Sequence, residues 1–212
     1  MEWNVSAGGG NFEKAPAGNH PAALVALVDL GMQWMDAYKD RPGKYMRKSF
    51  WVWELVTKKQ AGMKDKNLLI AADLTVSLHE NATMTAWLKA RLGRTPPDNY
   101  NIFLELGQPC LLSVVEEGGY PKVKGMSAIP DGFTIPAAQH KPFGFKLNPK
   151  DPSLETLPDW LPYRYGRPVA DVVRESKEIA GDRSKAAPAG GGATGATSGH
   201  EMYQNADADI PF

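Results

Sequence analysis

The chain has little of what builds cross-linked, secreted or membrane-spanning proteins. Its 212 residues include a single cysteine, Cys110. One cysteine excludes an internal disulfide and a cysteine-rich metal site, and such usage is typical of a reducing compartment. No apolar run reaches the roughly 18 residues of a membrane-spanning helix, and the N-terminal residues lack a basic-then-apolar secretory signal. We therefore predict a cytoplasmic protein that does not contact a membrane.

An excess of charge of one sign is also missing. The 24 Lys and Arg residues are balanced by 24 Asp and Glu residues, which gives a formal net charge of +0 at pH 7. This balance excludes a cationic surface over the whole molecule. Any surface for nucleic acid therefore has to be local.

Recognisable catalytic and cofactor motifs are missing too. The four histidines are scattered without the spacing of metal ligands, and the glycine triplets at residues 8–10 and 190–192 are not followed by the Gly-Lys-Ser/Thr of a phosphate loop. Cys110 lies within an apolar run, which favours a buried and unreactive thiol. We predict no catalytic residue, no metal ligand and no cofactor, and hence no enzyme.

Composition divides the chain into five parts. Residues 181–206 are rich in Gly, Ala and Ser, so they bury too little apolar surface to offset the entropy of ordering and should form a disordered linker. The other parts are a flexible arm at 1–19, a β-rich domain at 20–130, an extension rich in proline and aromatic residues at 131–180, and an acidic and apolar tip at 207–212.

The hydropathy pattern of residues 20–130 predicts a mainly β fold. The first predicted strand covers 20–34; it is apolar on both faces over residues 22–30, and Gly31 breaks its pattern as a bulge or a bend would. β-prone stretches follow at 45–56 and 68–78, a helical period covers 81–92, and a hairpin spans 109–129 with its turn at Gly118-Gly119. Five strands with a helix between the third and the fourth are the element order of the OB-fold, a small Greek-key barrel. We expect the extension to wrap irregularly on this barrel and to end in a helix after Pro168.

Aromatic and basic residues are interleaved in the second predicted strand and in the last hairpin. Proteins bind single-stranded nucleic acid by stacking bases on aromatic side chains, at about 1–3 kcal/mol per base, while a cationic groove follows the phosphates. Rings in strands usually belong to the core, so we expect about a third of these rings to face solvent. The predicted DNA-binding residues are Tyr45, Arg47, Lys48, Phe50, Trp51, Trp53, Tyr120, Lys122 and Lys124.

A second basic stretch connects the second and third predicted strands. It contains Lys58, Lys59, Lys64 and Lys66. This loop either follows phosphates or is an ordinary solvated run of charge, and the sequence favours neither interpretation.

The last six residues place two acids and a bare Ile-Pro-Phe at the end of the predicted linker. One interpretation is a frayed terminus. The other is a peptide that inserts its aromatic ring into a pocket of a partner, while the acids meet basic groups at the rim. The predicted partner-binding residues are Asp207, Asp209, Ile210, Pro211 and Phe212.

Two other function classes fit parts of the sequence. A metal-dependent nuclease would gather Asp29, Glu54 and Asp73 around Mg²⁺, although nothing in their spacing requires it. A protein-binding adaptor would use an OB-type body to bind protein rather than DNA.

Two stretches carry a resemblance to known families. The terminal Asp209-Ile210-Pro211-Phe212, placed after a low-complexity linker, resembles the acidic tip of bacterial single-stranded DNA-binding proteins. This resemblance implies that the tip binds replication, recombination and repair proteins. Ala208 interrupts the acidic run, which is denser in that family.

The body, over residues 22–129, resembles phage-encoded single-stranded DNA-binding proteins with an OB-fold. The resemblance lies in Val28-Asp29-Leu30-Gly31, Arg47-Lys48 before Trp53-Glu54-Leu55, Thr75-Val76-Ser77-Leu78-His79-Glu80 before a helix that ends at Gly93-Arg94, and Leu106-Gly107-Gln108-Pro109-Cys110. It implies a protein, alone or as a homo-oligomer, that coats and protects single-stranded DNA without sequence preference. The setting implied is the replication, recombination or repair of phage DNA in the host cytoplasm.

Overall fold

The computed structural model describes residues 14–60, 63–164 and 166–182, with the backbone alone at residues 60 and 63–65. The predicted linker beyond residue 182 and the predicted tip at 207–212 lie outside the described residues, as does most of the predicted N-terminal arm. No helix within the described ranges combines the length and apolar composition needed to cross a membrane.

The fold is mainly β, as predicted, and is built on one sheet. Its strands are β1 (Gly18–Met35), β2 (Lys44–Gln60), β3 (Met63–Thr75), β4 (Pro109–Glu117), β5 (Tyr120–Ser127) and β6 (Phe143–Phe145). The helices are α1 (Thr83–Leu92), α2 (Val169–Arg174) and α3 (Lys177–Ala180), with short 3-10 turns at Ile102–Glu105 and Leu154–Thr156. The helix between the third and fourth strands was predicted, whereas β6 was not.

The sheet has the strand order β3-β2-β1-β4-β5, with β6 added in parallel to β1. The five longer strands pair antiparallel. Three hairpin-connected strands followed by a fourth that returns beside the first define a Greek key, and β1 to β4 have this arrangement. Among the described residues no strand pairing joins β3 to β5, so the sheet is not closed into the barrel that the sequence predicted.

β1 is apolar on both faces because both faces are covered. Leu24 and Leu27 point into a core that α1 completes with Trp87 and Leu88. Val25 and Val28, on the opposite face, pack against the extension at residues 138–173. A strand buried on both sides reads as a continuous apolar run, which is the pattern of residues 22–30.

Gly31 marks the bulge that the sequence pattern indicated. The register with β2 shifts between Asp29 and Gly31, and Gly31 has φ of 71°. A Cβ atom at this position would lie 2.7 Å from side-chain atoms of both Leu147 and Ser176. Glycine is therefore required twice, by the left-handed backbone and by the close approach of the extension.

The extension has little regular structure and is held to the sheet by buried polar contacts. Glu54 is fully buried and accepts hydrogen bonds from the backbone N–H groups of Gln139 (2.7 Å) and His140 (3.0 Å). Farther along the extension, Arg164 pairs with Asp73 on β3 at 2.5 Å. These two anchors fix an irregular segment over β2 and β3.

Replacing a tryptophan of the sheet–helix core should cost much of the stability. Trp53 stacks on Trp51 with ring centroids 5.8 Å apart and contacts Trp87 at 5.9 Å. We expect Trp53→Ala to lower the free energy of unfolding by about 3–5 kcal/mol, because it removes a large buried ring. Urea unfolding followed by far-UV circular dichroism measures this.

Tyr163→Ala is the matched control, since the Tyr163 side chain is 68% exposed. It should change the free energy of unfolding by no more than about 0.5 kcal/mol. Equal effects of the two substitutions would contradict this description of the core.

Candidate nucleic-acid interface

Three of the predicted DNA-binding aromatics are core residues. Trp51 and Trp53 are fully buried between the sheet and α1, and Phe50 is buried on the opposite face of β2 against the extension. A ring without a solvent-facing side cannot stack on a base. The prediction of these three residues as DNA contacts is therefore wrong, because both faces of β2 are covered.

Lys48 is also unavailable to phosphates. It is buried, and its Nζ donates a hydrogen bond to Thr75 Oγ1 on the neighbouring strand at 2.9 Å. The ammonium group ties β2 to the end of β3. The prediction that Lys48 neutralises a phosphate is contradicted by this burial.

Arg47 lies near the start of β2, opposite the end of β1, where α3 packs. Its guanidinium donates to Asp29 and lies 3.6 Å from Glu178, which also accepts a hydrogen bond from the backbone N–H of Met32 at 2.8 Å. The hydrogen bond with Asp29 raises the pKa of Arg47 above its ordinary value, although partial burial opposes this. Arg47 thus joins β1, β2 and α3.

Tyr45 lies beside Arg47 and contacts the same C-terminal segment. Its ring meets Trp34 edge-on at 5.0 Å, and Lys177 Nζ lies 4.8 Å from the ring centroid. Its hydroxyl donates to the carbonyl of Gly181 at 3.3 Å. Both predicted contacts are therefore engaged by α3 and the residues after it.

The β4–β5 hairpin brings together the remaining three predicted residues. Tyr120 is 39% exposed, and Lys14, which the sequence analysis did not single out, places its Nζ 4.8 Å from the ring centroid and 2.6 Å from the carbonyl oxygen of Gly119. Lys122 and Lys124 both reach Glu117, at 3.3 and 3.1 Å. An exposed ring and three ammonium groups thus surround one turn.

A second exposed pair lies in the connection between β1 and β2. Tyr38 is 44% exposed, and Lys39 Nζ lies 5.2 Å from its ring centroid. Reciprocal backbone hydrogen bonds of 3.0 Å between Tyr38 and Arg41 close this turn. Sequence reasoning missed the pair, although an adjacent Tyr-Lys before Asp-Arg-Pro-Gly was a usable signal.

The β2–β3 hairpin extends the sheet as a basic two-stranded arm. Lys59 pairs with Asn67 and Gln60 with Met63 in its ladder. The side chains of Lys58, Lys59 and Lys66 are exposed, and no acidic side chain among those described forms an ion pair with them.

The carboxylates of the nuclease alternative do not gather. Asp29 binds Arg47, Asp73 binds Arg164, and Glu54 accepts from the extension. Within residues 14–60, 63–164 and 166–182, no three His, Cys, Asp or Glu side chains are grouped as a metal site would require.

Glu54 is the most constrained of these acids. Burial alone would raise its pKa, but hydrogen bonds from the backbone N–H groups of Gln139 and His140 and from the Asn67 and His140 side chains outweigh burial and lower it. The ring nitrogen Nδ1 of His140 lies 2.7 Å from Glu54 Oε2. The carboxylate is therefore the ionised centre of a buried polar network.

Comparison with protein-family models, with curated proteins and with solved structures finds no match to this chain.

Neutralising Glu54 should loosen the extension. We expect Glu54→Gln to lower the free energy of unfolding at neutral pH by about 3 kcal/mol, because an amide replaces an anion that accepts several buried hydrogen bonds. Because the folded-state pKa of Glu54 is depressed, its contribution is present above the unfolded pKa and is lost as the pH falls through the lower folded value.

The difference between wild type and Glu54→Gln should therefore shrink below about pH 4. Urea unfolding at a series of pH values measures it. Glu80→Gln, at an exposed position, is the control and should leave stability nearly unchanged. A difference between wild type and Glu54→Gln that is independent of pH would contradict the role of the ionised carboxylate.

Proposed function

We propose that this protein binds single-stranded DNA without sequence preference, through an OB-type body. The observation that carries the proposal is a pair of exposed tyrosines, each beside a lysine ammonium group, in the β1–β2 and β4–β5 connections. In OB-folds these two loops, together with the face of strands 2 and 3, bind oligonucleotides.

Three features support the OB-type interpretation of the sheet. The first four strands form a Greek key, and α1 lies between β3 and β4 in sequence. α1 also contacts both β3 and β5, the two strands whose approach would complete a barrel. The OB-fold is a partly open barrel, so a sheet with an unpaired seam is compatible with it.

The two tyrosines suit stacking on bases. Both rings are partly exposed to solvent, and a base stacks on an exposed aromatic surface. Stacking of this kind tolerates any base because every base has a π-face. The neighbouring Lys39 and Lys14 supply positive charge at the same place, where the phosphate backbone would run.

The covered sheet face changes where DNA would lie. The outer face of β2 and β3 packs against the extension, which removes the central part of the usual OB surface. The remaining contacts are the two tyrosine loops, Lys122 and Lys124 on β5, and the basic arm between β2 and β3. We therefore propose a path along these connections rather than across the middle of the sheet.

The resemblances found in the sequence complete the proposal. The body would coat and protect single-stranded DNA during replication, recombination or repair of phage DNA, and no bond would be made or broken. Residues 207–212 would bind partner proteins through Ile210, Pro211 and Phe212, with Asp207 and Asp209 at the rim of the partner's pocket.

Substituting the exposed tyrosines tests the stacking role. We expect Tyr38→Ala and Tyr120→Ala each to weaken binding of fluorescent poly-dT by about tenfold, because one stacked base is worth ~1–3 kcal/mol. Titrations at two salt concentrations, repeated with mixed-sequence oligonucleotides, measure affinity, salt dependence and sequence preference.

Tyr163→Ala serves as the control, because it removes an exposed ring outside the two connections. It should bind as the wild type does. If the wild-type protein does not bind poly-dT at low salt, the proposal is wrong, and a protein-binding adaptor becomes the better hypothesis. Mg²⁺-dependent loss of the oligonucleotide would instead favour a nuclease.

Removing the tip should separate recruitment from DNA binding. A chain that ends at residue 206 loses Asp207 and Asp209, which repel phosphates. We expect this truncation to bind poly-dT as tightly as the full chain or more tightly, in the same titration. A loss of affinity would contradict the assignment of the tip to partner binding.

A further inference from the structure

Glu117 lies at the centre of the cationic β4–β5 hairpin. Its Oε2 is 3.3 Å from Lys122 Nζ and 3.1 Å from Lys124 Nζ. Both ammonium groups thus approach the same oxygen atom. In the ladder Glu117 pairs with Tyr120, so this acid also lies next to the exposed ring.

The acid holds together two groups that would otherwise repel each other. Hydrogen bonds from Lys124 and Lys122 hold the pKa of Glu117 below its ordinary range, so the side chain is an anion at neutral pH. A single negative charge between two ammonium groups offsets their repulsion. The hairpin is therefore already arranged around one anion.

A phosphodiester can take the place of this anion. It carries one negative charge and presents oxygen acceptors to ammonium donors, as a carboxylate does. The exchange would leave the charge between the two ammonium groups unchanged. Tyr120 beside the site would then face the base of the same stretch of nucleic acid.

The exposure of the three side chains fits such an exchange. The Lys122 side chain is only 13% exposed, so its stem is held against the protein and its ammonium group stays in place. The side chains of Lys124 (50%) and Glu117 (46%) are about half exposed. Glu117 can therefore turn into solvent when a phosphate oxygen replaces its carboxylate beside Lys122.

We propose that Lys122 and Lys124 form a site for one phosphodiester of the single strand, and that Glu117 occupies this site in the free protein. The inference rests on the proposed function and adds that Glu117 limits the affinity of the protein for single-stranded DNA. DNA has to displace Glu117 before it reaches the two lysines. The cost of that displacement weakens binding and reduces the number of counterions released.

Glu117→Gln and Glu116→Gln in the full chain test the site as a matched pair. Each removes one negative charge from the same hairpin. Glu116 is exposed, pairs with Pro121 in the ladder, and forms no ion pair with a described side chain. General electrostatics therefore affects both variants alike, whereas only Glu117→Gln frees the two lysines.

Titration with a fluorescent dT oligonucleotide at several salt concentrations should separate the two variants. We expect Glu117→Gln to bind about threefold to tenfold more tightly than wild type at low salt, because DNA no longer has to break the two ion pairs of Glu117. Its salt dependence should steepen by about 0.7 in log–log slope for one more neutralised phosphate on a single strand. Glu116→Gln should gain less than about twofold.

A third arm removes the site itself. In a chain that carries Lys122→Gln and Lys124→Gln, the further change Glu117→Gln should raise the affinity for the oligonucleotide no more than Glu116→Gln does in the wild type. The variants alter exposed or half-exposed side chains except at Lys122, which is largely covered, and equal urea midpoints verify that each variant is folded.

The possible failures are distinguishable. If Glu117→Gln binds no more tightly than Glu116→Gln, or if its gain persists without the two lysines, the inference is wrong while the proposed function stands. If neither the wild type nor any variant binds the oligonucleotide at low salt, the proposed function is wrong and the inference falls with it.

Discussion

The burial of both faces of β1 and β2 is the constraint on which the rest of the structure depends. Strands that are apolar on both sides need a cover on each side. On one side α1 supplies it through Met84, Trp87 and Leu88. On the other side the cover is the extension, which is largely irregular and is held to the sheet by polar anchors as well as by apolar packing. Glu54 and Asp73 provide these anchors. The buried carboxylate of Glu54 accepts hydrogen bonds from the backbone N–H groups of Gln139 and His140, which fixes where that part of the extension lies.

The same constraint decides which side chains remain for binding. The buried rings of β2 pack against α1 on one side and against the extension on the other. The cations near the start of β2 hold neighbouring segments: Lys48 contacts β3, and Arg47 contacts β1 and α3. Within the sheet and its hairpins, exposed rings are left where strands turn, at Tyr38 and Tyr120, whereas Phe133 and Tyr163 are exposed in the extension. Turns carry function in many folds because a rigid sheet positions them without burying them.

Local patterns in the sequence were sufficient for much of the fold. The double-faced apolar run of β1, the break at Gly31 and the Gly118-Gly119 hairpin are each readable within a few residues. The sequence did not show which side chains of β2 are buried, because each of its faces mixes aromatic and charged residues. The partners of its buried polar groups are distant in sequence, and His140 lies 86 residues from Glu54. β6 could not be predicted because three residues beside Pro142 carry no strand pattern.

The balanced net charge of the chain limits the attraction of nucleic acid to a few positions on the candidate surface. In a chain with balanced charges, acids are available to pair with the cations, and Arg47, Arg164, Lys122 and Lys124 each form such an ion pair. A strongly cationic protein attracts nucleic acid over its whole surface, whereas here the attraction has to come from a few groups at defined positions. Each internal acid beside such a group then competes with phosphate. Affinity in such a protein is therefore set as much by the acids next to the lysines as by the number of lysines.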